Sequence, residues 1–412
     1  MTEQQQAPMR ICYVAYPTSL TLGSANAVQT YSTLRELRAQ HQNLQIIIPR
    51  MSSASNPFDN LGVTYIPRIG IGRLSRLYKS TLWYYAERTV FAWIVLVLLW
   101  VQASRGTRTD VVYVREVICA FWFSQWAPRL LGAKVVYEVH HLESTNHSRP
   151  KEQWAARLVE RIDQVTVQKP TRLVSLTNTF RTVLHNQGLR TNDAVDILPD
   201  AYNASIYHPS DQLSARNSLN IPHESTLICY AGLTFAYRRL ELLVEAYEQL
   251  PNEQQATSWL YFVGGRPQEV AALTQQCIAL GIQQRVVFTG VQSQPVVAQF
   301  LAASDILVIP DTVTDETASP LKLFEYMATG RVVVCPEMQS LREIIGSDGA
   351  AVFERGSVAA LTAQLTALIS NPGARAEIAA RGLDAVAPHT YQNRATRLIA
   401  VCRTAVSEHR NA

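Results

Sequence analysis

DILVIPDTVTDETASPLKLFEYMATGRVVV, residues 305–334, reads as one strand, loop, helix and strand in succession. DILVIP (305–310) and RVVVC (331–335) are short, continuously apolar runs, the pattern of strands covered on both faces. Between them a polar loop leads to Ser319 and Pro320, expected as N-cap and first helical residue. The helix that follows would turn free backbone N–H groups and a positive dipole end outward, ready for a phosphate or a sugar hydroxyl. Leu321, Phe324, Glu325 and Ala328 fall on one face, so Glu325 interrupts an apolar stripe. A carboxylate there needs partners, and a ribose diol is one; the competing expectation is an i, i+3 pair with Lys322 on a solvated face.

The same unit recurs outward from this stretch. RICYVAY (10–16), LQIIIP (44–49), DVVYVR (110–115), KVVYEV (134–139) and RLVSLT (172–177) form one series of strand-length runs, and TLICYAG (226–232), WLYFVGG (259–265), RVVFTG (285–290), DILVIP and RVVVC a second. Helical patterns separate them; in RRLELLVEAYEQL (238–250), Leu240, Leu243, Val244 and Tyr247 make one buried stripe. The fold class is therefore α/β, two doubly wound parallel-sheet (Rossmann-like) domains, with functional residues expected just after strands, in the cleft such domains form. Residues 197–225 are polar and contain prolines, which puts the expected hinge at 204–222. The expected domains are 1–205, 206–390 and a C-terminal helix, 391–412, packing back on the first.

Composition agrees. At 412 residues the chain has room for two or three domains, and 47% hydrophobic against 17% charged residues excludes disordered and fibrous classes. A formal charge of +4 is too small for a nucleic-acid binder working by phosphate neutralisation. Six dispersed cysteines without a CxxC pair read as reduced core residues, and MTEQQQAPMR has no apolar h-region, so a cytoplasmic protein is expected. The long apolar run, Thr89 to Val101, is 13 residues, short of a bilayer span, and is expected as a buried helix or a monotopic segment. Arg68, Arg73, Arg76, Lys79 and Arg88, with Tyr78, Trp83, Tyr84, Tyr85, Trp93 and Trp100, give its surroundings the character of a peripheral contact with an anionic membrane face. The sequence has neither GxGxxG, which weighs against a dinucleotide dehydrogenase, nor a DxD or His/Cys set with metal-ligand spacing.

SPLKLFEYMATGRVVV (319–334) with SLREII (340–345) resembles the C-terminal signature of retaining GT-B glycosyltransferases of glycosyltransferase family 4. SANAVQTYSTLRELRA (24–39), YEVHHLE (137–143), ILPDAYNASIYHP (197–209) and CYAGLTFAYRRLELLVEA (229–246) resemble further segments of that family in the right order. The resemblance implies a retaining, metal-independent enzyme without cofactor. It would move a sugar from a nucleotide-diphosphate sugar to a sugar, lipid-linked or glycan acceptor, with the departing β-phosphate as base.

It also implies roles. Glu325 matches the ribose-binding second Glu of the family's Glu, seven residues, Glu motif, whereas the first Glu position holds Thr317, with Glu316 one residue early. Either Glu316 reaches in through a rearranged loop or, the favoured reading, Thr317, Ala318 and backbone amides position the donor, with Ser319, Pro320 and Leu321 at the helix start. Arg238 matches the phosphate-binding Lys; the position after Gly232, often Arg in relatives, is Leu233, leaving Arg239 to supply a second cation. His140 would hydrogen-bond the donor sugar, and Gly23 and Ser24 in the first loop would let the backbone approach the β-phosphate and cap the next helix. Gly264 is read either as nucleotide approach or as an ordinary turn. A non-catalytic sugar-nucleotide-binding relative and a sugar-nucleotide epimerase of the same fold are the alternatives.

Overall fold

The computed structural model describes residues 9–50, 54–70, 73, 81–145, 155–312 and 319–408. The chain divides into two compact units, Met1–Pro199 with Tyr391–Ala412, and Asp200–Thr390. The boundary thus lies before Asp200 rather than after residue 205. The expected hinge at 204–222 is part of the second unit. Its polar composition comes from the helix Gln212–Leu219, capped by Asp211, whose buried Arg216 bonds the Ala303 carbonyl (2.9 Å) and Asp305 (2.5 Å).

The first unit is a seven-stranded parallel sheet. Its strands are β1 (Ile11–Val14), β2 (Leu44–Arg50), β3 (Val63–Pro67), β4 (Val111–Val114), β5 (Lys134–Val139), β6 (Arg172–Ser175) and β7 (Val195–Ile197), in the order β3-β2-β1-β4-β5-β6-β7. The second has β8 (Thr226–Ala231), β9 (Ser258–Val263), β10 (Val286–Gly290), β11 (Ile306–Val308), β12 (Val332–Pro336) and β13 (Ala351–Phe353), in the order β10-β9-β8-β11-β12-β13. Each sheet reverses its strand order once, between β1 and β4 and between β8 and β11. In open α/β sheets the strand ends beside that reversal splay apart and leave room for a ligand. The loops after β1, β4 and β5, and those after β8 and β11, are the ones so placed.

The helix Thr81–Ser104 contains the apolar run 89–101 and is 24 residues long, enough by length and composition to cross a membrane. One side of it, Phe91, Ala92, Val95, Leu96 and Leu99, is core against β1, β2 and β4. The helix Tyr391–Ser407 returns to the first unit, where Ala395, Leu398, Ile399 and Cys402 join Leu34, Leu37 and strands β1 and β2 in one core. All six cysteines are buried and free.

Leu398 is fully buried, so Leu398→Ala is expected to cost about 2–5 kcal/mol. Denaturant unfolding followed by a probe in the first unit checks this; no change in midpoint would show that the C-terminal helix does not share that core.

Candidate functional site

In the second unit the site is built where the helix Leu321–Ala328 meets the end of β8. Tyr326 clips the two together: its hydroxyl donates to the Ala231 carbonyl (2.9 Å) and accepts from the Ala231 N–H (2.6 Å). One turn earlier Lys322, 8% exposed, donates from Nζ to the Tyr230 hydroxyl (2.7 Å) and lies 3.9 Å from that ring's centroid. Tyr230 in turn donates to the Leu233 carbonyl (2.5 Å), holding the turn after β8. Gly232 in that turn has φ +136°, and a Cβ on it would stand 3.0 Å from Lys322 Nζ, so only glycine leaves the ammonium uncovered. Gly264 has φ +105°, and its Cβ would meet the Gly232 carbonyl at 2.7 Å; its smallness serves the packing of one turn on the other.

The charges here are not balanced. Among the described residues no carboxylate lies within ion-pair distance of Lys322, and burial, with the Arg238 charge after it, lowers its pKa well below the ordinary 10.5. A buried ammonium without a counter-charge is costly and calls for an anion. Glu325, half-buried, does not form the expected solvated pair with Lys322. Burial raises its pKa to about 7, against the Lys322 charge and the hydrogen bond of the Tyr207 hydroxyl. Arg238 is half-buried at the end of a 3-10 turn and reaches Thr312 Oγ1 at 3.5 Å. Arg239, φ +51°, is exposed and turned to Glu241 (3.5 Å). It therefore does not join Lys322, which figures in the sequence reading only in the competing expectation of a solvated pair with Glu325 and is instead a buried cation beside Gly232.

The start of this helix differs from expectation. Pro320 is the N-cap and Leu321 the first helical residue. The Ser319 hydroxyl accepts a hydrogen bond from the Asp200 N–H (3.0 Å) and so does not cap the helix. Glu316, Thr317 and Ala318 lie outside the described residues.

The first unit carries a separate cavity of about 280 Å³ at its own strand reversal, lined among others by Tyr16, Thr18, Asn26, Glu116, His140 and Glu143. His140 follows β5 directly, and its Nε2 lies 3.1 Å from both Glu138 and Arg115. Burial lowers its pKa below the ordinary 6.5. Ser24 caps the helix Ala25–Gln40 as expected, accepting from the Ala27 N–H (3.2 Å). At Gly23 φ is unremarkable and a Cβ would make only an ordinary 3.7 Å contact with Thr21, so nothing in the protein itself requires glycine there. Among the described residues no three His, Cys, Asp or Glu side chains converge as a metal set would.

Two family models match, "Glycosyl transferase 4-like domain" over residues 26–200 and "Glycosyl transferases group 1" over 224–371, together more than half of the chain. The D-inositol 3-phosphate glycosyltransferase of Stackebrandtia nassauensis is 24% identical over 99% of this chain and 95% of that protein. The 2-deoxystreptamine N-acetyl-D-glucosaminyltransferase of Streptomyces fradiae is 25% identical over 66% of this chain and 65% of that one. Among solved structures, Anabaena HepE in complex with UDP superposes with TM-score 0.72 at 15% identity, over 96% of this chain and 100% of that one, a likeness of fold.

The Glu325 pKa gives a stability prediction. In the unfolded chain it ionises near its ordinary 4.5 and in the folded chain near 7, so ionisation costs stability as pH rises through that window. Glu325→Gln is expected to match the wild type at and below about pH 4.5, gain on it up to about pH 7 and hold a constant advantage above. Thermal midpoints across that range check the sign; a variant less stable than the wild type at pH 8 would show that Glu325 is satisfied by the protein alone.

Proposed function

The chain belongs to the glycosyl transferases group 1 family, with the GT-B fold, and from that premise we propose that it transfers a sugar from a nucleoside-diphosphate sugar to a hydroxyl acceptor, with retention and without a metal. The observation that carries the reading is the buried ammonium of Lys322, with no carboxylate at ion-pair distance among the described residues, beside the side-chain-free turn at Gly232. A diphosphate there would meet Lys322, Arg238 and the turn amides, and the same cations would stabilise the charge that grows on the leaving group as the glycosidic bond breaks. Glu325 takes the ribose hydroxyls, donors that favour its ionised form and relieve the cost of burying it. The solved HepE complexes, which hold UDP or UDP-glucose, support a uridine nucleotide as the first to try. The relatives' names speak of an inositol phosphate and of 2-deoxystreptamine, both polyhydroxylated rings, so the acceptor class is a cyclitol, sugar or glycan hydroxyl, and the His140 cavity of the first unit is its place.

The test is ligand-induced stabilisation combined with turnover. A nucleoside diphosphate at 100 times its dissociation constant should stabilise the protein by about 2.7 kcal/mol. Lys322→Met and Arg238→Ala are expected to weaken diphosphate binding at least tenfold while leaving nucleoside binding within about twofold, since their partner is the diphosphate; charged hydrogen bonds of this kind contribute roughly 1.5–3 kcal/mol. Equal losses for both ligands would remove the two cations from the phosphate site. Turnover of the nucleotide sugar that persists in EDTA supports the metal-free part, and turnover lost with EDTA and restored by magnesium contradicts it.

Peripheral contact at the cytoplasmic face of a membrane belongs to the same proposal, with Trp100 and the exposed Arg73 as expected but with most of the other expected cations not on the surface described. Arg68 is spent on Glu87, and Arg88 lies among Glu116, Tyr84 and Tyr16 inside the unit, whereas Arg76 and Lys79 fall outside the described residues. The outward face is apolar instead: Ile94, Val97 and Trp100 on the long helix, with Trp126 and Leu130 on the neighbouring helix Val117–Leu131, are all exposed. Apolar and tryptophan side chains so displayed suit the interface of a bilayer. Replacing Val97 and Trp100 by Ser is expected to reduce co-sedimentation with anionic liposomes; wild-type protein that stays in the supernatant at low salt contradicts membrane contact.

A further inference from the structure

Beneath His140 the first unit gathers two arginines around one carboxylate. Glu138 of β5 is fully buried, and its Oε1 lies 3.1 Å from Arg115 Nε and 3.0 Å from Arg394 Nη2, while Oε2 accepts a hydrogen bond from the Tyr113 hydroxyl. The two cations hold Glu138 well below the usual carboxylate range against its burial. Arg115 is itself fixed by Thr30 Oγ1 (2.6 Å) and Gln29. Arg394 comes from the C-terminal helix and is anchored on the Pro199 carbonyl (3.0 Å) and Thr33 Oγ1 (3.3 Å).

His140 Nε2 therefore faces a group that can only donate, the Arg115 guanidinium, and a group that can only accept, the Glu138 carboxylate, each at 3.1 Å. The guanidinium contact is aligned as a hydrogen bond, whereas Glu138 Oε1 has no aligned donor. A guanidinium does not give up its proton, so where it bonds Nε2 that nitrogen offers a lone pair and the ring proton sits on Nδ1; the competing arrangement is an Nε2 proton donated to Glu138. Burial is the main cause that holds the imidazole pKa below its ordinary value; the Arg115 charge adds to it and Glu138 works against it.

We propose that Arg394 is a positioning residue: sharing the Glu138 carboxylate with Arg115, it weakens that carboxylate's pull on Nε2 and so leaves His140 with its proton on Nδ1, a hydrogen-bond donor to a ligand hydroxyl rather than a general base. The functional half rests on the reading that the His140 cavity takes a sugar or polyol; the electrostatic half does not. Its consequence is that the last helix of the chain, through a side chain remote in sequence, sets the chemistry of the histidine after β5.

Heteronuclear NMR of the imidazole nitrogens tests it on the full-length protein. In wild type the expected spectrum is that of the Nδ1–H tautomer, with His140 titrating below its ordinary 6.5. In Arg394→Gln one cation is gone, so His140 should titrate about one pH unit higher and its Nε2 proton, now drawn to Glu138, should be populated; Arg394→Lys should restore the wild-type behaviour. The other titratable groups about His140 and Glu138, namely His141, Tyr13, Tyr113, Glu116 and Glu143, are unchanged in these variants. The acid limb of kcat/KM for sugar transfer should move up with the His140 titration. An Nε2–H tautomer in wild type, or an unshifted titration in folded Arg394→Gln, overturns the proposal, and should Arg394→Gln not fold, the wild-type tautomer alone decides. If the titration moves as stated and the acid limb does not, the electrostatic inference stands and His140 is removed from the sugar site.

Discussion

The docking of one short helix on the end of one strand organises the second unit. Tyr326 fixes the helix Leu321–Ala328 to the backbone of Ala231, and this forces Lys322, one turn nearer the helix start, against Tyr230 and the open face of Gly232. Burial and the positive end of the helix both disfavour an ammonium at that place. The fold accepts this cost because Tyr326 and the core beneath it, Leu323, Phe324 and Met327, hold the helix regardless. An anion bound there would relieve it.

The two units treat buried charge in opposite ways. In the first, Glu138 is met by Arg115 and Arg394, and the same carboxylate oxygen lies beside a neighbouring histidine. In the second, Lys322 and Glu325 are met by tyrosine hydroxyls but, among the described residues, form no ion pair, and burial displaces their ionisation toward the neutral forms. A group completed by the protein is ready to orient a ligand, whereas a group left incomplete is ready to be completed by one. Glycosyl transfer needs both, an oriented hydroxyl and a charge-hungry seat for the leaving group.

Ten of the thirteen strands are legible as apolar runs, and the three that are not, β3 (VTYIP), β7 (VDI) and β13 (AVF), are sheet edges. An edge strand is covered on fewer sides, so β3 and β7 are partly polar, and β13, though apolar, is only three residues long; β10, the fourth edge, kept its apolar run and was legible. The site was legible where chemistry follows a strand directly, as at His140, or breaks an apolar helix face, as at Glu325. Lys322 was not among the expected site residues, because nothing in its spacing shows which way it turns; the tertiary contact of Tyr326 with β8 turns it inward. Arg394 was beyond reach for a similar reason, since nothing local connects the last helix with Glu138.

The central claim is that Lys322 awaits an anion, and proton uptake on binding tests it most directly. Calorimetric titration with UDP, in buffers of different ionisation enthalpy, is carried out at about pH 8.5, where Glu325 is already ionised. If the diphosphate seats on Lys322, its depressed pKa recovers and the complex takes up a fraction of a proton, an uptake missing with uridine and in Lys322→Met. UDP that binds tightly with no proton uptake, or with the same uptake in Lys322→Met, would contradict the account.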